Sequence, residues 1–330
     1  MKAYKLKFYS SFHLDSGTAV DGPSELFIKS DTLFSAICSA ANKFYGSEIV
    51  EAFLQAESVI LSSAFPFLND ELFFPKPLNY YPQIDNYEMI KEFRKIKFIS
   101  KDYLEMILQG NEIDSSLIRK DFIVNGCWKK RKVEEGNFIF KTKENPHIVL
   151  DRISNSTQIF YKTEVYFSNK PQAGLFFIAD VREELLPKFE TVLRFLGDEG
   201  IGADRTIGKG LFEVEEIKNF SLSAFKESNS FYLLSLYSPN ATEFTSIFPK
   251  ESFYNFEIRR GWVSNNTLRR KSLRMFTEGS VIKIKDNLLP KGMIHKVLNK
   301  DDYPDNLQTD IFRSGQVIAI PIVGGLNGNN

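Results

Sequence analysis

The chain has 330 residues, 43% hydrophobic and 25% charged, an ordinary globular composition with length for two domains of common size. Lys+Arg 42 against Asp+Glu 42 gives a formal net charge of zero. No global field therefore draws it to nucleic acid or membrane, and any such contact must come from local clusters. Two cysteines, Cys38 and Cys127, exclude a disulfide framework and fit a reduced, intracellular setting. The opening MKAYKLKFYSSFHLDSG alternates Lys with apolar residues, and no apolar run approaches the ~18 residues of a membrane span, so neither secretion nor membrane contact is expected.

Tyr4, Leu6 and Phe8 alternate with Lys5, Lys7 and Tyr9, which predicts a first strand with one buried face. Ser30 then stands where an N-cap belongs, before a helix over about 31–45 that carries Leu33, Ile37, Ala40, Ala41 and Phe44 on one face and stops at Gly46. From Gln158 to Phe167 the residues Ile159, Tyr161, Thr163, Val165 and Phe167 share one side of a strand. The turn-like NKPQ that follows suggests pairing with GLFFIAD. Pro187 opens a second helix with Phe189, Val192, Leu193 and Leu196 as its stripe and Gly197 as its end, and a last strand begins at Leu211.

Strand, helix, strand, strand, helix, strand is the split βαβ order of an α+β, ferredoxin-like unit. Residues 46–157, with FFPKPLNYYP, KKRK and Trp128, then form a subdomain-sized insertion between the first helix and the second strand. After about Ser230, FYLLSLYSP, FEIRRGW, GSVIKI and QVIAIPI read as four strands with no convincing amphipathic helix between them. A first domain over 1–225 and a second, degenerate, β-rich one over 226–330 are expected, with the boundary in the Ser-rich NFSLSAFKESN.

GDEGIGADRTIGKGLFEV places Gly197, Gly200, Gly202, Gly208 and Gly210 between a helix end and a strand start. Glycine permits close backbone approach, successive N–H groups can cradle phosphate, and Arg205 and Lys209 add charge. An ordinary connector needs one glycine rather than five. The loop is not a nucleotide P-loop, because the spacing is wrong and it leaves a helix for a strand rather than the reverse. The dinucleotide fingerprint fails for the same reason. A second cluster, RRGWVSNNTLRRKSLRMFT, holds Arg259, Arg260, Arg269, Arg270, Lys271 and Arg274 among Trp262 and Phe276, the mixture that grips single-stranded nucleic acid. Its plain alternative is a solvated strand edge. The third, DRISNSTQIFY, offers Arg152, Asn155, Ser156 and Thr157 to phosphate or ribose, or equally forms a simple turn. For catalysis little is on offer. His13, His147 and His295 stand far apart, no metal-binding spacing occurs, and only His13, at a strand end, suggests a general base for metal-free RNA cleavage.

Taken in order, FHLDSG, SDTLFSAIC, DRISNSTQIFYKTEVYF, LRFLGDEGIGADRTIGKG and KSLRMFTEGSV resemble the RAMP superfamily of CRISPR proteins. Within it they resemble the fourth-subunit family of the type III-A Csm effector complex. The resemblance implies a cytoplasmic, non-catalytic, cofactor-free subunit of two ferredoxin-like units that caps the complex and holds the 5′ tag of the crRNA. It also implies two protein partners, the large palm-domain cyclase subunit and the backbone RAMP subunit, and a thumb-like element within the insertion. Carried onto this chain, Gly200, Gly202, Arg205, Thr206, Gly208 and Lys209 would line the tag backbone. Ser30 and Thr32 at the first helix start would add phosphate contacts, Lys271, Arg274 and Phe276 a second surface, and Arg152, Asn155 and Thr157 a third. Asp204 departs from the small or basic residue usual in such loops and is expected to orient Arg205. Two other classes stay open: a crRNA-processing endoribonuclease using His13, and a scaffold that contacts only protein.

Overall fold

In the computed structural model strand Lys2–Phe8 lies second from one edge of the N-terminal sheet, with a neighbour on each side. It runs antiparallel to Phe212–Ile217, with Tyr4 opposite Glu216, and to Ala173–Val181, with Tyr4 opposite Phe177. The described residues are 1–14, 26–84, 86–151, 156–223, 228–263, 268–285, 288–303, 307 and 309–323. Ala173–Val181 pairs on its far side with Val59–Leu61 and Phe65–Leu68. Helices Ser30–Tyr45 and Leu186–Glu199 pack against each other, and Phe189 of the second meets Tyr4 of the sheet at 6.1 Å. The order strand, helix, strand, strand, helix, strand is thus present, and across the sheet the strands stand fourth, first, third, second.

The second strand is not the one expected. Thr157–Phe167 does not touch Ala173–Val181 as a neighbour. It pairs along its whole length with Phe140–Leu150, from Phe140 opposite Phe167 to Leu150 opposite Thr157. Period-two alternation identifies a face but not a partner. Ile159 and Tyr161, which share that face, are 61% and 59% exposed. Only the base of this hairpin joins the sheet, through a bridge between Phe12 and Val165. The insertion accordingly lies between the second and third core strands, over 69–172, rather than over 46–157. Its first part extends the sheet by Glu71–Pro75, Phe98–Ser100, Cys127–Trp128 and Ile123–Val124, with Trp128 fully buried and its Nε1–H donating to the Leu117 carbonyl at 3.0 Å.

Helix ends also differ from expectation. Gly197 lies inside the second helix, where a Cβ would stand 2.4 Å from the Phe212 carbonyl oxygen, and the helix stops at Gly200. Phe44 sits on the rim of the first helix at 49% exposure, against Tyr45 and Phe195. Much of the high Phe count is accounted for by the core, where Phe8 meets Phe12, Phe167 and Phe212 at 5.0 to 5.3 Å.

Beyond residue 228, strands fall on all four apolar runs. Ser230–Leu233 pairs with Val281–Lys283 and Ala319–Pro321, and Phe256–Arg259 pairs with Leu273–Phe276. A six-residue helix, Ala241–Ser246, also forms, held by a capping box between Asn240 and Glu243 that the apolar periodicity does not reveal. The two halves of the chain are sewn together by polar groups. The Ser63 N–H donates to the Leu234 carbonyl at 2.9 Å, the Ser235 hydroxyl to Leu61 at 2.7 Å and the Tyr232 hydroxyl to Pro75 at 2.5 Å.

Asp31, in the first turn of the first helix, is buried. It accepts from Arg259 Nε at 3.0 Å and from Arg313 Nη1 at 2.9 Å. Burial alone would raise its pKa, but the two guanidinium groups outweigh that and hold the carboxyl below the ordinary Asp value. Removing the carboxylate strands two cations in the interior. Asp31→Ala is therefore expected to cost about 3–5 kcal/mol, read as a lower denaturant midpoint, because breaking a buried pair leaves an uncompensated charge.

Candidate nucleic-acid interface

Residues 10–14, leaving the first strand, form the floor on which the glycine-rich loop rests. The Gly210 N–H donates to Ser11 at 2.7 Å, Ala203 to His13 at 2.9 Å, Ile201 to Gly210 at 2.9 Å and Gly208 to Arg205 at 2.9 Å. Gly202 has φ +97°, and a Cβ there would lie 2.5 Å from the His13 carbonyl oxygen. At Gly210, φ is +74° and the Cβ would lie 2.0 Å from the Ile201 oxygen. These two glycines are required by backbone contact in a left-handed conformation. The N–H of Gly200 is likewise used, on Leu196 at 2.8 Å. Much of the loop's N–H capacity is therefore turned inward, and what faces solvent is its crest, Arg205, Thr206 and Ile207 in one 3₁₀ turn followed by Gly208.

The two cations of the loop have different fates. Lys209 pairs with Glu164, a buried carboxylate that also accepts from the Ser11 hydroxyl at 2.7 Å and the Tyr166 hydroxyl at 2.9 Å. Burial raises the Glu164 pKa, but the Lys209, Ser11, Asn145 and Tyr166 donors overcome it and bring it down to about 2. Asp204 does not orient Arg205, because Lys162 of the hairpin takes its carboxylate at 2.9 Å. Arg205, exposed, has Glu199 at 4.0 Å. The hairpin and the loop are thus latched by two ion pairs, and Arg205 is the cation turned outward.

Beyond that latch the hairpin projects, with Ile148, Leu150, Ile159 and Tyr161 exposed on one face and Thr157 exposed at its far end. Arg152 and Asn155 lie outside the described residues.

Two expected contacts at the first helix start are taken up internally. Ser30 is the first helical residue rather than a cap. It is buried, its N–H donates to the Ser63 hydroxyl at 2.8 Å, and its own oxygen accepts from Leu236 at 3.0 Å. Thr32 accepts from Arg259 Nη2 at 2.9 Å. Asp31 already supplies the anion at this end of the helix.

The Arg-rich segment divides by burial. Arg259 is buried on Asp31, and Phe276 is buried between Tyr237, Tyr254 and Phe256, so its ring has no face left for a base. Lys271 and Arg274 are exposed. The aromatic beside Arg274 is Phe256, 46% exposed, with the guanidinium 5.9 Å from its ring centre. Trp262, 52% exposed, has Arg269 at 6.0 Å in the neighbouring hairpin. Phe256 was legible in FEIR, whose alternation puts Phe256 and Ile258 on the side opposite Arg259. Lys162 and Arg313, which complete the buried and latched pairs, gave no sequence signal.

His13 is buried, with Nδ1 2.8 Å from the Thr163 carbonyl. A carbonyl only accepts, so Nδ1 carries the proton, and the ring ties the first strand to the hairpin. KKRK is largely paired within the chain, Lys129 to Glu71, Lys130 to Asp102 and Lys132 to Asp121. Among the described residues, no group of three or more His, Cys, Asp or Glu is placed to hold a metal ion, and no helix is long and apolar enough to cross a membrane.

The latch and the crest are separable by mutation. Arg205→Ala should leave stability within about 0.5 kcal/mol, as for an ordinary surface change. Lys209→Ala should cost about 3 kcal/mol by leaving Glu164 buried and unpaired, measured by chemical denaturation. Because the folded pKa of Glu164 is depressed from 4.5 to about 2, its contribution is full above pH 4.5 and disappears as the pH falls towards 2. Glu164→Gln should flatten the acid limb of the stability curve in that window.

Residues 5–213 match the model of the RAMP superfamily, and residues 226–322 match the CRISPR Csm4 C-terminal domain. The CRISPR system Cms protein Csm4 of Thermococcus onnurineus is 30% identical over 207 residues, 59% of this chain and 64% of that protein. Among solved structures, one chain of the Csm3–Csm4 subcomplex of the type III-A CRISPR-Cas interference complex superposes with a TM-score of 0.69 at 19% identity, over 98% of this chain and 99% of that one. One chain of the Csm1–Csm4 cassette in complex with cA4 superposes with a TM-score of 0.61 at 19% identity, over 99% of each. The chain therefore belongs to the RAMP superfamily, and its residues 226–322 are similar to the Csm4 C-terminal domain.

Proposed function

We propose that this chain is the non-catalytic subunit of a type III-A CRISPR complex that holds and caps the 5′ repeat-derived tag of the crRNA. In this reading it bridges the large palm-domain subunit to the first backbone RAMP subunit, and it consists of two units, 1–225 and a degenerate ferredoxin-like 226–330. The observation that carries the reading is the exposed pairing of Arg with aromatic rings, Arg269 with Trp262 and Arg274 with Phe256, on a chain of zero net charge. Guanidinium groups neutralise phosphates while the rings stack on bases, which is the chemistry of a single-stranded RNA groove. The crest Arg205 and Thr206 supplies a further phosphate contact. The projecting hairpin, with its apolar face and Thr157 at the tip, suits the thumb that bends the guide. The protein neighbours follow from the solved relatives, one of which is paired with Csm3 and another with Csm1. His13, buried and bonded through Nδ1 to the backbone, is poorly placed as a general base.

The test is retention of crRNA by complexes purified after co-expression with the other subunits and a CRISPR array. Trp262→Ala with Arg269→Ala, and separately Phe256→Ala with Arg274→Ala, should assemble but release the guide at lower salt than the parent, since each lost phosphate contact weakens binding and its salt slope. Ultraviolet crosslinks to peptides covering 205–209 and 256–276 are expected. Complexes whose guide withstands salt equally in all variants would point instead to a subunit that contacts only protein.

A further inference from the structure

A groove of about 490 Å³ lies between the first helix and the C-terminal strand Ile311–Ser314, and it shares no residue with the loop or the hairpin. One wall is a stripe of small polar side chains, Ser35, Ser39 and Asn42, spaced i, i+4 and i+7 on the helix whose opposite residues Leu33, Ile37 and Ala41 fill the core. Their small size keeps the groove open. Phe34, Leu54 and Phe312 supply apolar surface, and Arg270 and Lys300 supply positive charge.

Arg270 is the informative residue. Its Nε is buried and has no hydrogen-bond acceptor among the described residues. The carboxylate whose field it shares, Asp31, is already committed to Arg259 and Arg313, so three guanidinium groups draw on one buried anion. Of the acids along the groove, Asp310 is engaged by Lys296 at 2.5 Å and by the Lys300 N–H at 2.9 Å, and Glu51 is exposed. The Cys38 thiol, pushed up to about 12 by burial, adds no negative charge. A buried guanidinium N–H lacking an acceptor, as at Arg270 Nε, is a costly arrangement unless something supplies one. The volume exceeds the needs of an inorganic anion and lies in the range of small-ligand sites.

We infer that this groove binds a phosphate-bearing ribonucleotide, with its phosphate on Arg270 and Lys300 and its ribose and base along Ser35, Ser39 and Asn42. The source is either a free mononucleotide or the phosphorylated end of an RNA strand, since both present the same group. This inference does not rest on the crRNA reading, because the binding is measured on the free chain without a guide.

The experiment is titration calorimetry of the full chain with AMP, adenosine, inorganic phosphate and a short 5′-phosphorylated RNA. Two variants are compared: Arg270→Gln, which removes the charge, and Ser39→Leu, which fills the groove from an exposed helix position and keeps the test open if Arg270→Gln fails to fold. Thermal unfolding checks both. AMP binding that exceeds adenosine and phosphate binding, and that weakens at least tenfold in the folded variants, supports a free nucleotide. A tenfold loss confined to the phosphorylated RNA supports a strand end. Equal binding by parent and variants, no binding of either probe, or phosphate binding as tight as AMP would overturn the assignment.

Discussion

The carboxylate of Asp31 is the point from which the arrangement of this molecule can be understood. It sits at the start of the helix that follows the first strand, and it draws Arg259 and Arg313 from far along the chain into the interior. Three consequences follow from that one ion cluster. The helix start is closed to outside anions, because its own acid and the hydroxyl of Thr32 are used there. The C-terminal strands are fixed against the N-terminal sheet, so the polar stitches at Ser63, Ser235 and Tyr232 form between surfaces already in register. And the Arg-rich segment is split, with Arg259 facing inward while Arg269 and Arg274 face out beside aromatic rings. Desolvation makes such a cluster expensive to form, so its value lies in directing which surfaces meet.

A parallel division governs the glycine-rich loop. Its glycines allow the chain to lie directly on residues 10–14, and the loop is then latched to the hairpin by Lys209 on Glu164 and Lys162 on Asp204. Two charges that look available in the sequence, those of Lys209 and Asp204, are thereby neutralised within the fold. For a chain of zero net charge this matters. Attraction to a polyanion has to come from local groups of exposed cations, such as Arg269 and Arg274 beside their aromatic rings, rather than from a broad field.

The hairpin of Phe140–Leu150 and Thr157–Phe167 is the clearest departure from local reading. A two-stranded ribbon with an exposed apolar face is marginal in water on its own, and here its base is secured by Phe12, His13 and the buried Glu164. The same three anchors explain why His13 serves the fold. The aromatic ring open to stacking is Phe256 rather than Phe276 because, although the two stand opposite each other on one face of the ribbon, Phe276 is covered by Tyr237, Tyr254 and Phe256 itself, while Phe256 keeps 46% exposure.

Features that depend on near neighbours are legible along the chain. The first strand, both long helices, the last strand of the sheet and the four apolar runs of the C-terminal half were legible because period and turn chemistry are local properties. So was the need for close backbone approach in the loop, which five glycines in fourteen residues announce. Which surfaces meet is settled only by the closed fold. The partner of Thr157–Phe167, the place of the insertion, the burial of Ser30, Arg259 and Phe276, and the pairing of Lys209 and Asp204 all depend on residues distant in sequence. Charge and hydrogen-bond capacity are visible in a sequence, but whether they face water or an internal partner is set only when the chain has closed on itself.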